Sequence, residues 1–235
     1  MPRHGLYLTL LAFLLTGCVT SGTSLRVPDF AQRREPLRTV AVMPLRLNLF
    51  QVQAGGNAEL IDEWRDEATG LMTAALDEHL GKGQGLNLTF AEKDYLNQYH
   101  AVLWRKYRGL FETVAGAATV HGFDGTAFPA KVANFDYTLG PGAAELAAVF
   151  DADALLFVYG TDYTTTMGRK WVAAANLGLV EAGFDGLLMA LVDGRSGDLL
   201  WLKRSQPYEN QNLRDAREVD RIITWMCLDI SGETR

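Results

Sequence analysis

The sequence predicts an α/β (α+β) sandwich: a mixed sheet with helices packed on it, ending in a β-hairpin followed by a helix. Three observations predict it. Short continuous apolar runs, "VAVM" and "ALLFVYG", read as strands covered on both faces. Amphipathic stretches at helical spacing lie between them. Two further apolar runs flank "DGRSGD", whose Asp-Gly and Ser-Gly dipeptides favour a tight turn. The predicted order is β-α-β-α-α-β-β-β-α, with the helices on one face of the sheet.

The elements follow in order. An apolar run of about ten residues, Leu6 to Leu15, has the length of a secretory h-region and is too short to span a bilayer. A tether is expected over residues 18–38, which hold Ser, Thr, Gly, Pro and few apolar side chains. "RTVAVMPLRL" is the first strand, with Pro44 expected to end it. "NAELIDEWRDEATGLMTAALDEHL" is a long helix whose apolar positions run from Leu60 to Leu80. "GKGQG" stops it. This glycine-rich stretch follows a helix and lacks a Gly-Lys-Ser/Thr ending, so it reads as a cap and loop, not a phosphate cradle. "LNLTF" alternates as a second strand.

"KDYLNQYHAVLWRKYRGLFETV" is a helix or helix pair. Its apolar side is expected to carry Tyr95, Leu96, Tyr99, Val102, Leu103, Tyr107, Leu110, Phe111 and Val114. Arg105, Lys106 and Arg108 form a basic spot on a solvated face. Residues 115–142, rich in Gly, Ala and Pro, are expected to be a long loop with short elements. "GAAELAAVFD" is a third helix, and a strand runs from Ala154 to about Thr165. The hairpin joins Leu187–Val192 to Leu199–Leu202. A last helix presents Val219, Ile222, Ile223, Met226 and Ile230 inward.

Composition narrows the function. The net charge of −6 argues against nucleic acid or an anionic membrane surface as the main partner. Of four histidines, His79, His100 and His121 stand apart, with no spacing that would make a metal site. "GRSGD" brushes against a nucleophile elbow, but it joins two strands and ends in Asp. Asp151 and Asp153 sit at a helix-to-strand junction, where turn and cap duty suits them. Cys227 reads as a small buried hydrophobe. The sequence offers no catalytic residue, metal site or cofactor site.

"LTGC", Leu15 to Cys18, resembles the lipobox of bacterial lipoproteins. The resemblance implies removal of residues 1–17 and a diacylglyceryl and an acyl group on Cys18; the length that remains suits one globular domain, expected over 39–235. It also implies an outer-membrane location facing the periplasm, because Val19 follows the cysteine where Asp would favour retention at the inner membrane. Several acyl chains make a durable anchor. With Cys18 lipidated, the chain can form no internal disulfide.

Three further stretches, "VAVMPL", "AAELAAVFDADALLFVYGTDY" and "LLMALVDGRSGDLLW", are similar in their order to envelope lipoproteins of the curli secretion type. Related groups are the lipoprotein activators of penicillin-binding proteins and the amino-terminal domain of TolB. Ala152, Asp153, Ala154 and Gly160 match one motif of that group; Asp193, Ser196, Gly197 and Trp201 match its hairpin. Phe150-Asp151 departs from it. The resemblance implies non-enzymatic work as an accessory or assembly factor in cell-wall synthesis or secretion, with an envelope protein or peptidoglycan as partner. It is compatible with an oligomer. Two alternatives stand beside it: a ring-forming secretion pore and an envelope enzyme. A pore would draw its barrel strands from Thr164–Phe184, which alternates poorly. Within that segment Arg169, Lys170 and Trp171 are residue types found at contact hot spots or their rims.

Overall fold

The fold is described from a computed structural model covering residues 24–52, 57–123, 128–165, 186–205 and 212–230. An eight-stranded mixed sheet forms its centre. The strands are β1 (Ser24–Arg26), β2 (Thr39–Val42), β3 (Arg46–Val52), β4 (Ala58–Leu60), β5 (Asn87–Phe90), β6 (Ala154–Thr165), β7 (Gly186–Asp193) and β8 (Leu199–Arg204). The helices are α1 (Phe30–Arg34), α2 (Asp62–Leu76), α3 (Lys93–Tyr99), α4 (Ala101–Phe123), α5 (Pro129–Ala133), α6 (Ala143–Ala148) and α7 (Ala216–Cys227).

The long strand β6 organises the sheet. On one side it pairs antiparallel with β7, which pairs with β8, which pairs with β1. On the other side its first half pairs parallel with β2 and its second half parallel with β3. β5 lies outside β2, and β4 lies outside β3.

β2 and β3 are one interrupted strand. Val42 sits opposite Leu156 and Arg46 opposite Tyr159, so four steps on one strand face three on the other. The extra residue forms a bulge around Pro44. The Met43 amide still donates to the Leu156 carbonyl at 2.8 Å. Proline has no amide to offer, and a bulge is where a strand tolerates that. Pro44 therefore bends the strand where an end was expected.

Helices cover both faces of the sheet, not one. The Phe111 ring of α4 stacks on Phe157 at 4.1 Å and meets Tyr159 edge-on at 5.1 Å. On the opposite face of β6, Asp162 accepts from the Leu213 amide at 3.1 Å, and Thr164 meets Arg214 at 3.2 Å, just ahead of α7. Successive strand residues point to opposite faces. This double cover is why β7 and β8 are apolar at almost every position.

Two expected boundaries move. Residues 24–38, expected in the tether, belong to the folded domain. β1 pairs with β8, and Val27, Phe30, Arg34 and Leu37 are buried. The long helix also starts later: Ala58–Leu60 pairs with β3 as β4, and α2 begins at Asp62. α2 then runs into a wide turn over Asp77–Lys82, and Gly85, at φ +65°, ends the excursion.

Within residues 115–142, α4 extends to Phe123, α5 follows, and Thr138 bridges to Asp198. The last helix carries four of its expected inner residues, Val219, Ile222, Ile223 and Met226, and the fifth, Ile230, lies just beyond its end; all five are buried.

Candidate functional site

The family-like motifs meet at one end of the sheet. The β7–β8 turn folds around Asp193, whose Oδ1 accepts from the amides of Arg195 at 2.8 Å and Ser196 at 3.0 Å. Arg33 of α1 reaches in from the amino-terminal segment. Its Nη2 donates to Asp193 Oδ2 at 3.0 Å, Asp198 Oδ2 at 2.9 Å and Ser196 Oγ at 2.8 Å. Ser196 Oγ in turn donates to Asp198 at 2.8 Å.

Gly197, at φ +78°, lies so close to Gly140 that a Cβ would stand 2.0 Å from its carbonyl oxygen. Only glycine fits there. Burial raises the Asp193 and Asp198 carboxyls, but the hydrogen bonds and Arg33 outweigh it and hold both below the usual carboxylate range.

Asp153 does related work one strand away. Its Oδ2 accepts from the amides of Arg38 at 2.8 Å and Thr39 at 3.0 Å, fixing the start of β2. The Thr39 amide leads the causes that keep its carboxyl low. Asp151 takes a left-handed turn at φ +48°. The two aspartates thus serve as turn and cap, as expected. Ser196 is held as part of the turn. These motif residues close the fold and leave no nucleophile poised.

Two buried cations pin α7. Lys203 Nζ donates to the Trp225 carbonyl at 2.7 Å, pairs with Asp229 at 2.9 Å and lies 4.0 Å from the Trp225 ring centre. Arg34 Nε donates to the Ile230 carbonyl at 3.0 Å. Lys203 meets a carbonyl of the last helical turn, and Arg34 one three residues beyond the end of the helix, where carbonyls lack the regular helical partners. Burial lowers the pKa of each cation. Burial also pushes the Cys227 thiol up to about 12, so it stays protonated at neutral pH.

The three histidines lie in separate places. His79 Nε2 pairs with Asp220 at 2.6 Å, His100 lies tilted beside the Tyr95 ring, and His121 packs on Phe128. Among the described residues no three His, Cys, Asp or Glu side chains gather as a metal site.

What stands out on the surface is the corner between α3 and α4. His100 leaves helical geometry at φ −134°, yet its amide still bonds to the Leu96 carbonyl and its carbonyl accepts from the Trp104 amide at 2.8 Å. The two helices therefore share a rigid elbow. Leu96, Trp104, Tyr107 and Phe111 point inward. Tyr99, 63% exposed, and Val102, 75% exposed, point outward beside a partly exposed Tyr95 whose ring lies 5.3 Å from that of Tyr99.

Exposed Arg105 and Lys106 continue this surface. Tyr95, Tyr99, Val102 and Leu110, expected on the inner side, are thus on the outer one. The stretch holds two apolar stripes, and Trp104-Tyr107-Phe111-Ala115-Ala118 alone is the inner one. The spacing of that stripe carried the signal.

Cys18, Arg169, Lys170 and Trp171, the residues expected to carry function, lie outside the described residues. No helix among the described residues is long and apolar enough to cross a membrane.

No protein-family model matches the chain. No curated protein matches it in sequence. Solved structures do. The chain is similar to PelC from Paraburkholderia phytofirmans, a dodecamer, with 12% identity over 90% of this chain and 96% of that one, at a TM-score of 0.36. It is also similar to lipoprotein GNA1162 from Neisseria meningitidis, with 14% identity over 83% of this chain and 99% of that one, at a TM-score of 0.32. One of the two is named a lipoprotein.

Proposed function

We propose that this chain is an outer-membrane lipoprotein, anchored through acyl chains on Cys18 and facing the periplasm. It serves an envelope complex of secretion or cell-wall synthesis by contact, not by turnover. The observation that carries the contact role is the outward Tyr95-Tyr99-Val102 surface on its rigid elbow. Tyrosine and arginine are enriched where proteins meet, and a preformed surface loses little entropy on binding. Arg105 and Lys106 suit a partner with an acidic rim around an apolar patch. Arg169, Lys170 and Trp171 are proposed as a second contact.

The anchor and the contact are tested separately. Replacing Cys18→Ser should abolish palmitate labelling and release the protein from the membrane fraction. A photo-cross-linking residue at position 99 in intact cells should trap one defined envelope protein, and Val102→Asp should remove that adduct without unfolding the domain. An adduct that survives Val102→Asp, or none at all, would sink the contact role.

A further inference from the structure

The anchored reading sets a distance. Between Cys18 and Ser24, the first residue of β1, stand only the five residues Val19–Thr23. Six steps of fully extended chain reach about 20 Å. A folded domain of this length has a radius of gyration of about 16 Å, hence a diameter of about 40 Å. The leash is shorter than the domain is wide, so only the surface around Ser24 comes to the bilayer.

That surface is apolar where it need not be. Next to Ser24, the Leu25 side chain packs so tightly on Gly122 that a Cβ there would stand 2.3 Å away. The carboxyl end of α4 is thereby fixed beside β1. Val120 and Phe128, 58% and 51% exposed, stand on this end, with His121 against the Phe128 ring at 4.3 Å. Arg204, one residue beyond the partner of Ser24 on β8, lies 4.3 Å from the ring centre of Phe123. Arg26, the next residue of β1, is exposed, and strand alternation turns it to the face away from Leu25.

Aromatic and aliphatic side chains flanked by cations are the composition of a surface that sits at the headgroup boundary. The Tyr99-Val102 surface is at the far end of α4, where α3 meets it. Eighteen residues separate Val102 from Val120, about 27 Å of helix rise.

We propose that the α4–α5 end, through Val120 and Phe128 with Arg204 at its margin, lies against the phospholipid surface that holds the Cys18 acyl chains. This rests on the anchored reading. It adds an orientation: the contact surface at Tyr99 is held away from the membrane, toward the periplasm.

The full-length lipidated protein is reconstituted into vesicles of phosphatidylethanolamine and phosphatidylglycerol. It carries one fluorophore on an introduced cysteine, Val120→Cys, Phe128→Cys, Tyr99→Cys or Val102→Cys. These positions are exposed, so the label does not disturb the core. Spin-labelled lipid should quench the labels at 120 and 128 several-fold more than those at 99 and 102. Equal quenching at both ends, or the reverse order, overturns the orientation. Partition of each variant into the vesicles is measured in parallel with Cys18→Ser. Membrane binding that ignores Cys18→Ser defeats the anchor itself, whereas anchored protein with unquenched 120 and 128 labels defeats only the orientation.

Discussion

At the scale of single residues, charge is used here to close turns. Arg33 alone ties α1 to both strands of the terminal hairpin, donating to three acceptors at 3.0 Å or less. Its side chain is about a quarter exposed, so solvent screens the ion pairs and the hydrogen bonds matter more. Arg33→Ala should cost about 1–2 kcal/mol in urea unfolding at neutral pH.

The sign of the pH dependence follows from the two aspartates. Their folded values lie below the ordinary value. The stability they contribute is therefore complete above about pH 4, the unfolded carboxylate range, and fades as the pH falls through their lower folded values. Removing Arg33 takes away part of that depression. The stability gap between the two proteins should be full at pH 7 and narrow as the pH falls below about 4 and both carboxyls protonate. A gap that stays constant would mean that Arg33 acts by packing alone.

At the scale of elements, α7 shows how a buried cation can serve as a fastener. Lys203 bonds to the Trp225 carbonyl and to Asp229. Breaking such an arrangement costs most when it leaves a hole as well as a lone acceptor. Lys203→Ala should destabilise the protein by about 2–4 kcal/mol, while Lys203→Met, which keeps the stem volume, should cost about 1 kcal/mol or less. Chemical denaturation of both variants checks this, and equal losses would assign the effect to charge and not to packing.

The same scale explains what was legible beforehand. β6, the β7–β8 hairpin and α7 could be read directly, because local pattern and turn chemistry specify them. β3 was hidden by Pro44, whose missing amide reads as a stop until β6 is seen to run past it. The α3–α4 elbow hid because two apolar stripes overlap in one run, and only the break at His100 separates them. The Asp153 and Asp193 roles as cap and turn were legible in kind. The meeting of Asp193 and Asp198 with Arg33 was not, since it joins residues 160 and more positions apart.

For the molecule as a whole, the boundary of the folded domain decides how it meets its surroundings. Ser, Thr and Pro with scattered charges make residues 24–38 look like a spacer, yet Val27, Phe30 and Leu37 are buried and β1 completes one edge of the sheet. Each such side chain is worth about 1.5–3 kcal/mol when removed from water. Their sum approaches the about 5–15 kcal/mol that holds a typical domain together. A chain beginning at Thr39 would also leave Asp193 and Asp198 without Arg33, and the Ile230 carbonyl without Arg34. Such a chain should unfold near room temperature or fail to accumulate, whereas one beginning at Gly22 should melt as the lipid-free full domain does. Thermal unfolding of the two, followed by circular dichroism, separates the alternatives. Coincident transitions would return residues 24–38 to the tether and lengthen the leash about fourfold, since reach grows with the number of residues. The close approach to the bilayer would then no longer follow, because a leash of that length exceeds the width of the domain.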